Sequence, residues 1–269
     1  MCIIGVMKKL VKKISFIAIA VVAVFALSSF IKNNIKKENA VLNPGVLGLP
    51  NSNNNSEIDL NFNENLYRVN WFEINNVDNL FLSVNTNKST SQELLDQEKC
   101  VFISSGGYYK SDYSPTGLLI SEYKEVSSFV TSSLANGIFS VNDFATPRIT
   151  SIVPRDRLRI ALQAGPLLKE NGNFIDLSLK NDEEAKRVIL GVTGENKAIF
   201  LIVYNPSSVY VGPLLKDLPK ILELFEKETG IVFADLVNLD GGTPTVFIDL
   251  NNDINLNEAS IVGNFFCLK

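Results

Sequence analysis

The chain has 269 residues, 46% of them hydrophobic and 20% charged, with a net charge of -4. This suits one ordinary globular domain with some additional sequence, long enough to bury a real core. Histidine is absent, which excludes a Ser-His-Asp triad, a His-ligated zinc site and any imidazole acid or base. Proton transfer is left to carboxylates, tyrosines, lysines, the amino terminus or water. The charge is uneven: residues 1 to 37 hold seven lysines and no acid, and beyond them 18 basic groups face 29 acidic ones, a balance of -11. An acidic body without a basic stripe argues against nucleic acid as a partner.

In chain order, Lys8-Lys9 and Lys12-Lys13 lead into an apolar run from Ile14 to Leu27, followed by Ser28, Ser29, Phe30 and Ile31. Residues 1–32 therefore read as a signal peptide or an N-terminal membrane anchor. The run is about 14 residues before the serines and about 18 with Phe30 and Ile31, between a signal core and a spanning helix. Ala26 and Ser28 are small enough for a cleavage site. Either outcome places the domain outside the cytoplasm, secreted or held at the cell membrane. Residues 33–64 contain Pro44-Gly45 and Asn53-Asn54-Asn55 and read as a polar, weakly structured linker. A single domain is then expected over 65–269.

From Leu66 the texture changes to short strands. Alternating or apolar runs predict strands at 66–74, 80–84, 101–104, 117–121, 137–141, 149–153, 158–163, 187–192, 198–204 and 231–239. A short helix is expected over Gln92 to Gln97, capped by Ser91. A longer one is expected over Leu218 to Glu228, where Leu218, Ile221, Leu222 and Phe225 share a face, Asp217 can cap and Gly230 can end it. The order predicts an α+β fold: a mixed central β-sheet flanked by a few helices. Cys100 and Cys267 flank this region without any Cys-x-x-Cys spacing. Two buried thiols and one bridge formed in an oxidising compartment are both open.

The chemistry concentrates where apolar runs end. The last predicted strand stops at Leu239-Asp240-Gly241-Gly242-Thr243, a carboxylate followed by glycines that let the chain turn and a ligand approach. Upstream lie Ser104-Ser105-Gly106-Gly107-Tyr108-Tyr109, Gln163-Ala164-Gly165-Pro166-Leu167-Leu168 and Arg187-Val188-Ile189-Leu190-Gly191. Each alone is explained by an ordinary turn or strand end. Together, in this order, they resemble the phosphodiester glycosidase family, whose pattern runs Asn-Gly-Gly-Tyr/Phe-Phe, Gln-Ala/Ser-Gly-Pro-Leu-Leu, Arg-x-x-x-Gly and Leu-Asp-Gly-Gly-Gly/Ser. The resemblance spans roughly residues 66 to 255 and includes Asp112 to Leu118. It departs at Ser105, where the family has Asn, and at Pro244, where it has a small residue.

The resemblance implies hydrolysis of a sugar-1-phosphodiester on the glycosidic side, in extracytoplasmic glycan or exopolysaccharide metabolism. The substrate is a sugar phosphate or glycan, and no cofactor or metal is implied. Asp240 is the candidate nucleophile, base or oxocarbenium stabiliser, and Arg187 the candidate phosphate clamp. Ser105, Gly106, Gly107, Tyr108, Gln163, Gly165, Gly241, Gly242 and Thr243 are candidate substrate-binding residues. Asp112 and Glu122 are weaker candidates for a second carboxylate, and Asp249 to Asp253 reads as a solvated turn. A hydroxyl at Ser105 reaches less far than an amide. This motivates a second reading, an envelope protein that binds carbohydrate or phosphosugar without turnover. A third reading is a structural protein whose glycine loops are only turns.

Overall fold

The computed structural model describes residues 56–269. The expected export segment and the linker up to residue 55 lie outside that range. Among the described residues no helix is long and apolar enough to cross a membrane.

The fold begins earlier than its sequence suggests. Strand β1 (Glu57–Phe62) pairs antiparallel with β2 (Asn65–Glu73) along its whole length. Ile58, Leu60 and Phe62 alternate with Glu57, Asp59 and Asn61, and all three apolar side chains pack into one core cluster. Asn63 and Glu64 form the turn with φ of 48° and 65°, the double positive φ that a tight hairpin requires. The linker expected through residue 64 therefore gives way to a strand at its C-terminal end.

The hairpin joins a seven-stranded sheet ordered β1-β2-β13-β12-β14-β10-β11. Its members are β10 (Leu167–Glu170), β11 (Asn173–Phe174), β12 (Arg187–Thr193), β13 (Ala198–Tyr204) and β14 (Phe233–Asn238). A five-stranded sheet holds β3 (Leu80–Val84), β4 (Phe102–Ser105), β15 (Phe247–Asp249), β16 (Ile254–Leu256) and β17 (Asn264–Leu268). Another holds β5 (Leu119–Ser121), β6 (Lys124–Ser127), β7 (Gly137–Asn142), β8 (Pro147–Thr150) and β9 (Leu158–Ala164). The expected single mixed sheet is thus three sheets, and every strand pairing among the described residues is antiparallel. Two helices accompany them, so the α+β reading holds in a sheet-dominated form.

Residue alternation divides the core in two. Along β13, Phe200 and Ile202 face a cluster shared with the two smaller sheets, while Leu201 and Val203 face the opposite cluster. Phe72 and Phe102 stack with centroids 4.2 Å apart in the first cluster, joining β2 to β4. In the second, helix α2 (Leu218–Thr229) buries Leu218, Ile221, Leu222 and Phe225 and ends at Gly230, whose φ of 75° favours glycine. Helix α1 (Ser91–Glu98) is capped by Thr90 in a reciprocal box with Glu93, not by Ser91 as the sequence suggested. It packs Leu94 and Leu95 on the β4 sheet. There Cys100 and Cys267 form a disulfide.

Candidate active site

The site forms where the ends of β4, β12 and β14 meet. Leu239 N–H donates to the Val188 carbonyl at 2.8 Å, and Asp240 N–H donates to the Gly106 carbonyl at 2.8 Å. Ser105 Oγ donates to the Asp240 carbonyl at 3.4 Å. The Asp240 backbone is therefore clamped between two sheets, and its carboxyl lines a cleft of about 700 Å³. That size falls within the roughly 300–1,000 Å³ of small-molecule sites. Burial pushes the Asp240 carboxyl up to about 7, against the pull of the Gly241 N–H and of Arg187.

Arg187 lies behind Gly241, not in the open cleft. A methyl group added at Gly241 would sit 3.1 Å from Arg187 Nη1, tighter than an ordinary contact, so a larger residue at that turn would press on the guanidinium. The other guanidinium nitrogens are engaged: Nη2 donates to the Glu183 carbonyl and lies 3.6 Å from Asp182, and Nε donates to the Pro213 carbonyl. Asp182 also accepts from the Leu215 and Lys216 N–H groups, both at 2.8 Å. Among the described residues Nη1 has no hydrogen-bond partner, and it is the edge nearest Gly241. Burial lowers the Arg187 pKa, opposed first by Asp182 and then by Tyr108 and Asp240.

The Gly-Gly turn has a structural duty. Gly106 N–H donates to the Asn264 carbonyl at 2.9 Å. Gly107 exchanges two bonds with the Asn264 amide, at 2.7 and 3.0 Å. Both N–H groups are consumed, which corrects the expectation that they approach a ligand. A methyl at Gly106 would collide with Asn264 Oδ1 at 2.2 Å. Asn264 is the residue that the sequence reading missed; its signal is a polar side chain inside the apolar C-terminal run.

Gln163 is corrected likewise. It is buried, its Oε1 accepts from Leu118 and Val130 N–H, and its Nε2 donates to the Val130 and Ala135 carbonyls. All four bonds go to backbone, and none is left for a sugar hydroxyl. Gly165 is packed against the Leu134 carbonyl and offers its own carbonyl to the Tyr108 hydroxyl and to Asn238 Nδ2. Tyr108 and Tyr109 both line the cleft, with hydroxyls tied to Gly165 and to Ile261. Burial and then the Asp240 charge push each phenol up to about 12. Gly241, Gly242 and Thr243 line the cleft, as does Pro244. Gly242 turns at φ 79° and donates to the Lys186 carbonyl at 3.2 Å.

The candidate second carboxylates lie elsewhere. Asp112 accepts from the Ser114 N–H and hydroxyl, closing its own turn, and Glu122 pairs with Arg159 at 2.9 Å. The cleft instead presents Glu183 and Glu184, with Lys110 as its exposed cation. Asp249 accepts from Asn251 and Asn252 within a turn. Among the described residues no group of three or more acidic or cysteine side chains could hold a metal.

A family model for phosphodiester glycosidase matches residues 98–268, from the end of α1 to β17. The chain belongs to the phosphodiester glycosidase family. No curated protein sequence matches the chain. Among solved structures, it is similar to the catalytic domain of zebrafish N-acetylglucosamine-1-phosphodiester alpha-N-acetylglucosaminidase, auto-inhibited by its pro-peptide. The TM-score is 0.62 at 14% identity, covering 79% of this chain and 81% of that one. It is also similar to a hypothetical protein from Synechocystis, with TM-score 0.62 at 13% identity, covering 78% of this chain and 61% of that one. At these identities the likeness speaks for the fold.

Proposed function

We propose that the protein hydrolyses a sugar-1-phosphodiester at its glycosidic bond, outside the cytoplasm, in glycan or exopolysaccharide metabolism. The observation that carries this reading is Asp240: a carboxyl that titrates near neutrality at the wall of a cleft, one glycine away from a part-buried arginine. Water adds to the anomeric carbon, and the bond from that carbon to the phosphate oxygen breaks with its electron pair on oxygen. The products are a free sugar and a phosphomonoester. A phosphate ester is already a good leaving group, so the step needs little acid assistance. Ionised Asp240 takes the proton of the attacking water, Lys110 at the rim offsets the phosphate charge, and Arg187 adds positive potential from behind Gly241.

The extracytoplasmic setting is supported by the lysine-led apolar segment and by the disulfide, which suits an oxidising compartment. Protease added to intact cells, with any outer barrier opened, should degrade the domain; full protection would contradict the setting.

Ser105 bears on the binding-only alternative. Its hydroxyl supports the Asp240 carbonyl from below, so its effect on catalysis runs through the placement of that loop. Ser105→Asn tests it directly. A faster variant would show that the serine costs turnover. Equal inactivity of wild type, Ser105→Asn and Asp240→Asn on every diester would favour binding alone.

A further inference from the structure

The third tyrosine of the cleft differs from the other two. Tyr108 and Tyr109 are half-buried and their hydroxyls are bonded, whereas Tyr210 is 55% exposed and its hydroxyl has no partner among the described residues. Its ring rests on the Lys186 ammonium, 5.0 Å from the centroid. Lys186 itself is fully buried, an unusual location for a lysine; it makes no ion pair among the described residues, although the Glu258 carboxylate acts on it through space. Its Nζ donates to the Asn257 carbonyl at 2.6 Å. Its main chain accepts from Gly242 N–H and donates to the Tyr210 carbonyl. The loop after Asn257 returns to the cleft, where Ala259 N–H donates to the Thr243 carbonyl at 2.7 Å. One buried lysine therefore ties together the turn carrying Asp240, the loop carrying Tyr210 and the loop carrying Ala259.

A cation under one face of an aromatic ring fixes the ring and leaves its other face for a ligand. In a cleft that mixes aromatic and aliphatic lining with Lys110, Glu183, Glu184 and Asp240, the ligand surface that suits an open aromatic face is the C–H face of a pyranose, whose hydroxyls can reach the charged groups. We propose that Tyr210 is the stacking platform for a sugar ring of the substrate and that Lys186 is the positioning residue that holds it there. This rests on the sugar-phosphodiester reading above and names the residues that would recognise the sugar.

Two measurements on the full chain test it. In the first, Tyr210 ring resonances are followed by NMR while methyl α-hexopyranosides and methyl α-N-acetylhexosaminides are added in turn. At least one probe should shift the Tyr210 ring in wild type, and the same probe should not shift it in Lys186→Met. That substitution replaces a buried charge by an apolar chain of similar length, so the fold should survive. The second uses diester turnover. Tyr210→Ala should raise KM roughly tenfold with kcat nearly unchanged, and Tyr210→Phe should restore wild-type KM. Lys186→Met should raise KM similarly, and the double variant Lys186→Met/Tyr210→Ala should be no worse than Tyr210→Ala alone. A ring unmoved by every probe, or additive effects in the double variant, would overturn the proposal. A ring that responds to a glycoside in a protein that cleaves no diester would leave the platform standing and remove the enzymatic reading.

Discussion

At the scale of single residues, Asp240 carries the account, and its protonation sets two expectations. If the ionised carboxylate is the base, kcat/KM should rise with pH through an inflection near 7. Asp240→Asn should cost about 10²-fold or more in kcat and flatten that rise. The stability consequence has the opposite sense. The native carboxyl titrates near 7 and the unfolded one near its ordinary value of 3.8. Its contribution is fully present below the unfolded value and is lost as pH rises toward 7. Asp240→Asn should therefore melt higher than wild type at pH 8, with the difference shrinking toward pH 4. Equal differences at both pH values would mean that burial does not perturb the group. Gln163 offers the contrasting test. Gln163→Leu strands the buried Leu118 N–H and Ala135 carbonyl and frees both backbone groups of the exposed Val130, and should destabilise by roughly 3 kcal/mol. Because the amide faces no ligand, the surviving folded protein should keep its KM. A raised KM at unchanged fold content would return Gln163 to the substrate.

The element scale explains what could be read from the sequence and what could not. Strand β13 stands at Ala198–Tyr204, where its unbroken apolar run placed it, because all seven residues are buried. Helix α2 is equally legible, since one apolar face and Gly230 mark it. Strand β1 was not, because Glu57, Asp59 and Asn61 dilute its three apolar residues beside an asparagine-rich stretch. Pairing is where the reading stops: β17 inserts between β3 and β4, which precede it by more than 150 residues, and local pattern holds no trace of that. The same distance hid the partner of the Gly-Gly turn, since Asn264 lies 157 residues from Gly107. The disulfide belongs to this scale too. It ties Cys100, just after α1, to Cys267 in β17 across 167 residues. Replacing both cysteines by serine should lower unfolding stability by roughly 2–4 kcal/mol. Urea unfolding with and without reductant checks this, and a midpoint indifferent to both would contradict it.

For the whole molecule, the three sheets and α2 enclose two large apolar clusters, two smaller ones pack beside them, and the cleft opens where the sheet ends converge. The N-terminal boundary follows from β1. A chain starting at residue 56 should unfold in one cooperative transition. A chain starting at residue 66 loses Leu60 from the core and leaves β2 as an exposed edge. It should be markedly less stable or aggregate. Equal melting of the two would show that the first strand is dispensable.

The claim that the cleft cleaves a sugar-1-phosphodiester on the sugar side is tested most directly by isotope placement. The full chain is incubated with a panel of sugar-1-phosphate diesters in ¹⁸O-labelled water, and the products are weighed by mass spectrometry. Attack at the anomeric carbon puts the label in the released sugar and none in the phosphomonoester, and Asp240→Asn should slow the release of both products by about 10²-fold or more. Label in the phosphate would mean cleavage of the phosphorus–oxygen bond, and that result would contradict the account.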